Sequence, residues 1–174
     1  MAVSWLARRL RAYRNRRPAQ QRGQTVVEFA LVLLPMLITF LTVIEFSFLL
    51  FSWVLIEHSA REGLRTAITG ADIAGTSPAT GANRITAINT AVNSATAGLP
   101  RAGTDITVSV SSWANNPFAS TETANDPGNA CWAVQVQVVY NYRPISPFFT
   151  AITLNLPLTA HERGLNEQFT GCGT

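Results

Sequence analysis

Residues 29–56 read FALVLLPMLITFLTVIEFSFLLFSWVLI, an apolar run broken only by Glu45 and a few serines and threonines. As a helix rising 1.5 Å per residue, it would be roughly 42 Å long, against a hydrocarbon core of about 30 Å. That is one membrane span with length left over. No second stretch of comparable length follows. A cleaved secretory signal fits poorly, because its apolar stretch runs only about 7–15 residues behind a short basic region. Here the basic region is far longer, and only a weak small-residue site near Ala67–Ala71 follows.

Charge sets the direction of the span. All 13 basic residues are arginine. Residues 1–23 hold seven of them and no acid, a balance of +7; residues 24–174 hold six against ten acids, a balance of −4. The positive-inside bias therefore predicts residues 1–23 in the cytoplasm and residues beyond about 57 outside. Hydrophobic residues make up 47% of the chain and charged ones 13%, about half the usual globular share, which excludes a disordered chain, a coiled coil and a heavily charged nucleic-acid binder. The basic head could also be read as a tail for anionic lipid or nucleic acid, with Trp5, Leu6 and Leu10 at the membrane surface. A topology determinant needs only the charge itself, so no nucleic-acid partner is expected.

Head and span meet at Arg22-Gly23-Gln24-Thr25-Val26-Val27-Glu28-Phe29. An acid at the end of a membrane helix is costly unless it stays at the interface, where the helix dipole favours an anion near the amino terminus. A sharper reading starts from Gly23, since a small residue ahead of an acid-bearing apolar helix is what prepilin peptidases cut. Cleavage there would make Gln24 the new terminus and Glu28 the fifth mature residue.

The junction resembles the TadE-like minor pilins, or pseudopilins, of tight-adherence pilus systems, within the wider type IV pilin class. The matching residues are Gly23 to Leu33 at the junction, Val43-Ile44-Glu45-Phe46 in the span, and Ser59-Ala60-Arg61-Glu62-Gly63-Leu64-Arg65-Thr66-Ala67 after it. The resemblance implies cleavage between Gly23 and Gln24, anchoring in the bacterial inner membrane, and Glu28, Phe29 and Glu45 as assembly residues. Implied partners are a prepilin peptidase, other pilins and minor pilins, the inner-membrane assembly platform and membrane lipid. Enzymatic activity and cofactors are not implied. The alternative is an uncleaved, single-span binding or sensing module.

Physical chemistry supplies a role for Glu28 beside that resemblance. Cleavage frees an α-amino group, which one subunit's Glu28 can pair with in a neighbour, selecting axial register more than adding raw stability. Cyclisation of Gln24 would remove that positive charge. Glu45 lies 17 residues on, about 100° around the helix, so the two acids do not share a face. An acid so placed should face a protein partner or reach the headgroups, unless the overlong span already puts it at the outer interface. Pro35 removes one backbone hydrogen bond and predicts a kink near Leu31.

Beyond Ile56 the helix should continue to Thr69, with Glu57–Arg61 at i,i+4, an apolar side of Ala60, Leu64, Ala67 and Ile68, and Gly70 as the stop. Residues 70–83 read as a loop. Ile85, Ile88, Val92 and Ala95 predict a short helix ended by Gly98-Leu99-Pro100. The period then changes to two: Ile106, Val108 and Val110 predict one strand, and Trp132, Val134, Val136, Val138, Tyr140 and Tyr142 the clearest one. Residues 114–130 read as a loop. Leu154, Leu156, Leu158 and Ala160 predict a third strand, at an edge because Pro157 cannot donate. The expected fold is α+β: leader 1–23, transmembrane helix 24–56, helical extension 57–70, and a head 71–174 with about three antiparallel strands.

Cys131 and Cys172 both fall in the head. In an oxidising compartment they would pair, closing a loop of about forty residues with a model stabilisation of roughly 4 kcal/mol; two free thiols are the alternative. His58 and His161 are the only histidines, too few for an expected metal site. No nucleophile elbow, phosphate-cradling glycine loop or HExxH pattern occurs, so no catalytic residues are assigned.

Overall fold

In a computed structural model, residues 18–75, 77, 79, 81–100, 102–114, 121–150, 155–168 and 172 are described; most of the basic head and Leu154 lie outside them. Helix α1 runs from Pro18 to Ile68 and continues through Pro35. The chain divides between Ile44 and Glu45 into two units.

The first unit holds the amino-terminal part of α1, whose apolar side chains, from Val26 to Ile44, are largely exposed. Its hydroxyls turn back onto the helix. Thr39 Oγ1 donates to the Pro35 carbonyl at 2.9 Å and Thr42 Oγ1 to that of Ile38 at 2.8 Å. That internal satisfaction is what polar side chains need in a medium without water. This helix is long and apolar enough to cross a membrane, with a mean hydropathy of 2.4 in its most apolar window.

The second unit begins with the rest of α1 and continues through α2 (Gly81–Ala95), α3 (Ala102–Asp105), β1 (Ile106–Trp113), β2 (Glu122–Ala124), β3 (Ala133–Tyr142), α4 (Pro147–Thr150) and β4 (Leu156–Leu165). The strands form one antiparallel sheet in the order β2-β1-β3-β4. β3 alternates as its sequence demands: Val134, Val136, Val138, Tyr140 and Tyr142 are buried, and the residues between them face the other side, half-buried. β4, with Pro157, is an edge. The sheet has four strands rather than three, because a three-residue strand lies within the region 114–130 read as a loop; Trp132 precedes β3 rather than opening it. Helix α2 starts at Gly81, earlier than its apolar spacing indicates.

One face of the sheet carries the core. Val110 of β1, the inward row of β3 and Ala160 of β4 meet Ile56, Ala60 and Ala67 of α1 and Ile88 and Val92 of α2. On α1 the covered positions are Glu45, Ser52, Ile56, Ser59, Ala60, Gly63 and Ala67, which recur at the helical period along one side. Five of the seven are Ser, Ala or Gly. Small side chains let the helix axis come close to the sheet. Glu45–Ile68 as a helix is about 36 Å long and ten-residue β3 about 33 Å, so the two match in length. Tyr142 at the end of β3 reaches Glu45, and at the other end of this helical stretch the N–H of Glu167, just past β4, donates to the Ile68 carbonyl at 2.9 Å. Gly70, at φ 66°, follows the helix as a left-handed terminator.

Arg84 of α2 is buried although charged. Its guanidinium donates to the carbonyls of Ala67 (2.8 Å), Pro127 (3.2 Å) and Gly128, joining the end of α1 to the turn before β3. Burial lowers its pKa while Asp126 works in the opposite sense. Asn166 Nδ2 donates to the carbonyls of Pro127 and Asn129, both at 2.8 Å, so the same turn is held from a second side. Cys131 and Cys172 are joined as a disulfide, with Cα atoms 5.6 Å apart.

Gly63 marks the tightest approach of α1 to the head. A Cβ there would stand 2.7 Å from Val92 Cγ2 and 3.1 Å from Val136 Cγ1. Gly63→Ala is expected to cost about 1–3 kcal/mol through overpacking. Gly103→Ala, where a Cβ meets nothing within 4 Å, is the control. Urea unfolding followed by near-ultraviolet circular dichroism checks this; equal midpoints for the two variants would contradict the close approach.

Candidate functional site

Two groups of residues singled out by the sequence fall in different units. In the first, Gly23, Gln24, Glu28 and Phe29 are exposed on α1. Gln24 Nε2 donates to Glu28 Oε1 at 3.0 Å, one turn apart. Gly23 is held inside the helix with nothing within 4 Å of where a Cβ would stand. Glycine in a helix interior costs about 0.5–1 kcal/mol relative to alanine, and packing here does not call for it.

In the second unit lies Glu45, only 8% exposed. Its carboxylate oxygen Oε1 accepts from Tyr142 Oη at 2.6 Å and from the Ile145 N–H at 3.0 Å; Oε2 accepts from the Ser146 N–H at 3.2 Å. The acid that the sequence offers as facing a partner or the headgroups thus has both oxygens engaged by its own head. It joins α1 to the end of β3 and to the turn that follows. Such charge-assisted bonds, with three donors on one carboxylate, offset the cost of removing the charge from water.

Burial first, and then the adjacent Glu45 carboxylate, push the Tyr142 hydroxyl pKa well above its ordinary value. Its ring also meets Tyr140 edge-on, the centroids 6.4 Å apart. Tyr140 Oη in turn donates to the Pro100 carbonyl at 3.0 Å. Sequence reading assigned Tyr142 only to a core strand. The signal for a partner was the presence of one hydroxyl-bearing ring at the strand end and one unexplained acid in the helix, 97 positions apart.

Beside this cluster, Pro100, Asp105, Tyr140, Arg143, Pro144, Ile145 and Thr150 line a cleft of about 460 Å³. Its charged groups are an ion pair, Arg143 to Asp105 at 3.4 Å. Among the described residues, no group of three or more His, Cys, Asp or Glu side chains is placed to hold a metal ion.

Residues 23–65, about a quarter of the chain, match a family model described as TadE-like protein. No curated protein and no solved structure matches the chain. The match begins at Gly23 and takes in Glu28, Glu45 and Gly63.

Tyr142→Phe deletes one of three bonds to Glu45 and should cost about 1.5–3 kcal/mol. Because the folded pKa of Tyr142 is raised above its unfolded value, this contribution is present in full below about pH 10 and is lost as the pH climbs toward the folded value. Ultraviolet titration at alkaline pH should therefore show a late-ionising tyrosine in the parent that is missing from Tyr142→Phe. An unchanged titration would remove Tyr142 from this role.

Proposed function

We propose that this chain, carrying a TadE-like domain at residues 23–65, is a minor pilin or pseudopilin cut after Gly23 by a prepilin peptidase and used in assembling a tight-adherence pilus. The observation that carries the reading is Gly23. It costs helix stability, its surroundings leave room for any side chain, and it stands one residue before the amide that reaches Glu28. A residue that the fold does not require is explained by an enzyme that does. Peptidases act on extended backbone, and a glycine lowers the free energy needed to unwind the helix at that point.

In this reading the arginine-rich leader faces the cytoplasm and the head lies across the inner membrane, in the periplasm or outside the cell. After cleavage, the Gln24 ammonium and the Glu28 carboxylate stand on the first turn of a shortened helix. Glu28 and Phe29, both exposed, are available to neighbouring pilins and to the assembly platform. Glu45 supports assembly indirectly, by holding its stretch of α1 to the end of β3 within the head.

Co-expression with a prepilin peptidase should shift the intact mass by that of residues 1–23, or slightly more if Gln24 cyclises. Gly23→Leu should leave the full-length form accumulating. A full-length mass for the parent protein under the same conditions would favour the uncleaved, single-span module instead.

A further inference from the structure

We propose that Asn166 is the positioning residue for the Cys131–Cys172 disulfide: it holds the turn that presents Cys131, so that the bond closes on a head whose sheet has already assembled. The inference lies wholly within the second unit and is independent of cleavage after Gly23.

The turn before β3 needs holding. Asn125, Gly128 and Cys131 all have positive φ, at 60°, 72° and 66°. Residues other than glycine seldom occupy that region, because Cβ crowds the following carbonyl. Asn166, one residue past β4, makes four hydrogen bonds with this turn and the residue after it. The Cys131 N–H donates to the Asn166 carbonyl at 3.1 Å, and the Asn166 N–H donates to the Trp132 carbonyl at 2.9 Å. Asn166 Nδ2 donates to the carbonyls of Pro127 and Asn129, both at 2.8 Å. The residue is 4% exposed, and its Oδ1 has no hydrogen-bond partner among the described residues, so the side chain serves through its two donors.

The order of events follows from where these bonds originate. The pairing of Ala133 with Leu165 ends the β3–β4 ladder, and the backbone bonds of Asn166 to Cys131 and Trp132 carry it one step further. That step needs the sheet register and no covalent link. In the folded head the Cα atoms of Cys131 and Cys172 are 5.6 Å apart, within the usual range for a disulfide. Cys172 is exposed and Cys131 half-buried, so an oxidant reaches the pair after the head has assembled. With glutathione disulfide as oxidant, one protein thiolate displaces a glutathione thiolate and forms a mixed disulfide. The other protein thiolate then attacks the protein sulfur of that mixed disulfide and releases a second glutathione. Two protein thiols are oxidised, one glutathione disulfide is reduced, and the two protons pass to the departing glutathione thiolates.

The test measures the effective concentration of the two thiols in the full chain, in detergent micelles with glutathione redox buffers, by trapping free thiols and weighing the products. The chain has no other cysteine. The parent should give a value about a hundred-fold above its own value in concentrated urea, where only a flexible loop joins the thiols. Asn166→Asp keeps the shape and removes both side-chain donors, and should lower the native value about ten-fold. Asn166→Gln, which keeps the donors, should recover part of that loss. Gly63→Ala, which strains the core against α1, is the control and should stay within about two-fold of the parent. No loss in Asn166→Asp, or an equal loss in Gly63→Ala, overturns the positioning role. Hydrogen exchange of the reduced parent gives a readout that needs no variant: the amides of Cys131 and Asn166 should be protected while both thiols are free. Exchange at these two as fast as in urea overturns the order of events, because the bonds would then be a consequence of the disulfide.

Discussion

One carboxylate in an apolar helix has to be answered, and Glu45 is answered by three donors from the head. Without them α1 would carry an uncompensated charge where its neighbours are Ile44 and Phe46. With them, the helix changes character at Glu45: from Val26 to Ile44 its apolar side chains are largely exposed, and after Glu45 one face belongs to a folded core. The apolar run 29–56 is longer than a bilayer's hydrocarbon core requires, and from Glu45 onward one face of it is packed in the folded head. The covered stripe from Ser52 to Ala67 is built of small residues, which suits contact with a sheet, and the uncovered side retains Leu50, Trp53 and Val54.

Much of this could be read directly from the residue pattern. The span, the helical continuation to its glycine stop and the inward row of β3 all follow from periodicities that a buried helix or strand imposes on its own sequence. β4 was only half legible. Its inward positions after Leu158 are Ala160, Glu162 and Gly164, so no hydrophobic alternation survives, and Glu162 is accounted for only by Arg61, 3.0 Å away on α1. β2 is three exposed residues long and owes its existence to the neighbouring strand β1 rather than to its own composition.

The two groups of candidate residues differ in how the sequence announces them. Glu28 and Gly23 announce themselves because an acid and a glycine are locally anomalous in an apolar helix. Glu45 is anomalous too, but the identity of its partners is a matter of tertiary placement: one hydroxyl and two backbone N–H groups carry no sequence signature. Arg84 illustrates the same limit. It sits in a helix of polar, solvated appearance, yet its two terminal nitrogens donate to three carbonyls from two distant segments, which only the assembled head brings together.

The separation between Glu45 and Tyr142 has a kinetic consequence. The helix is synthesised first; α2, whose Val92 covers Gly63, follows soon after, but the hydroxyl that bonds the Glu45 carboxylate arrives 97 positions later. A growing polypeptide must therefore extend through Ser146 before all three donors to Glu45 are present. A chain interrupted ahead of β3 would display a bare carboxylate on a helix whose small-residue stripe is only partly clad.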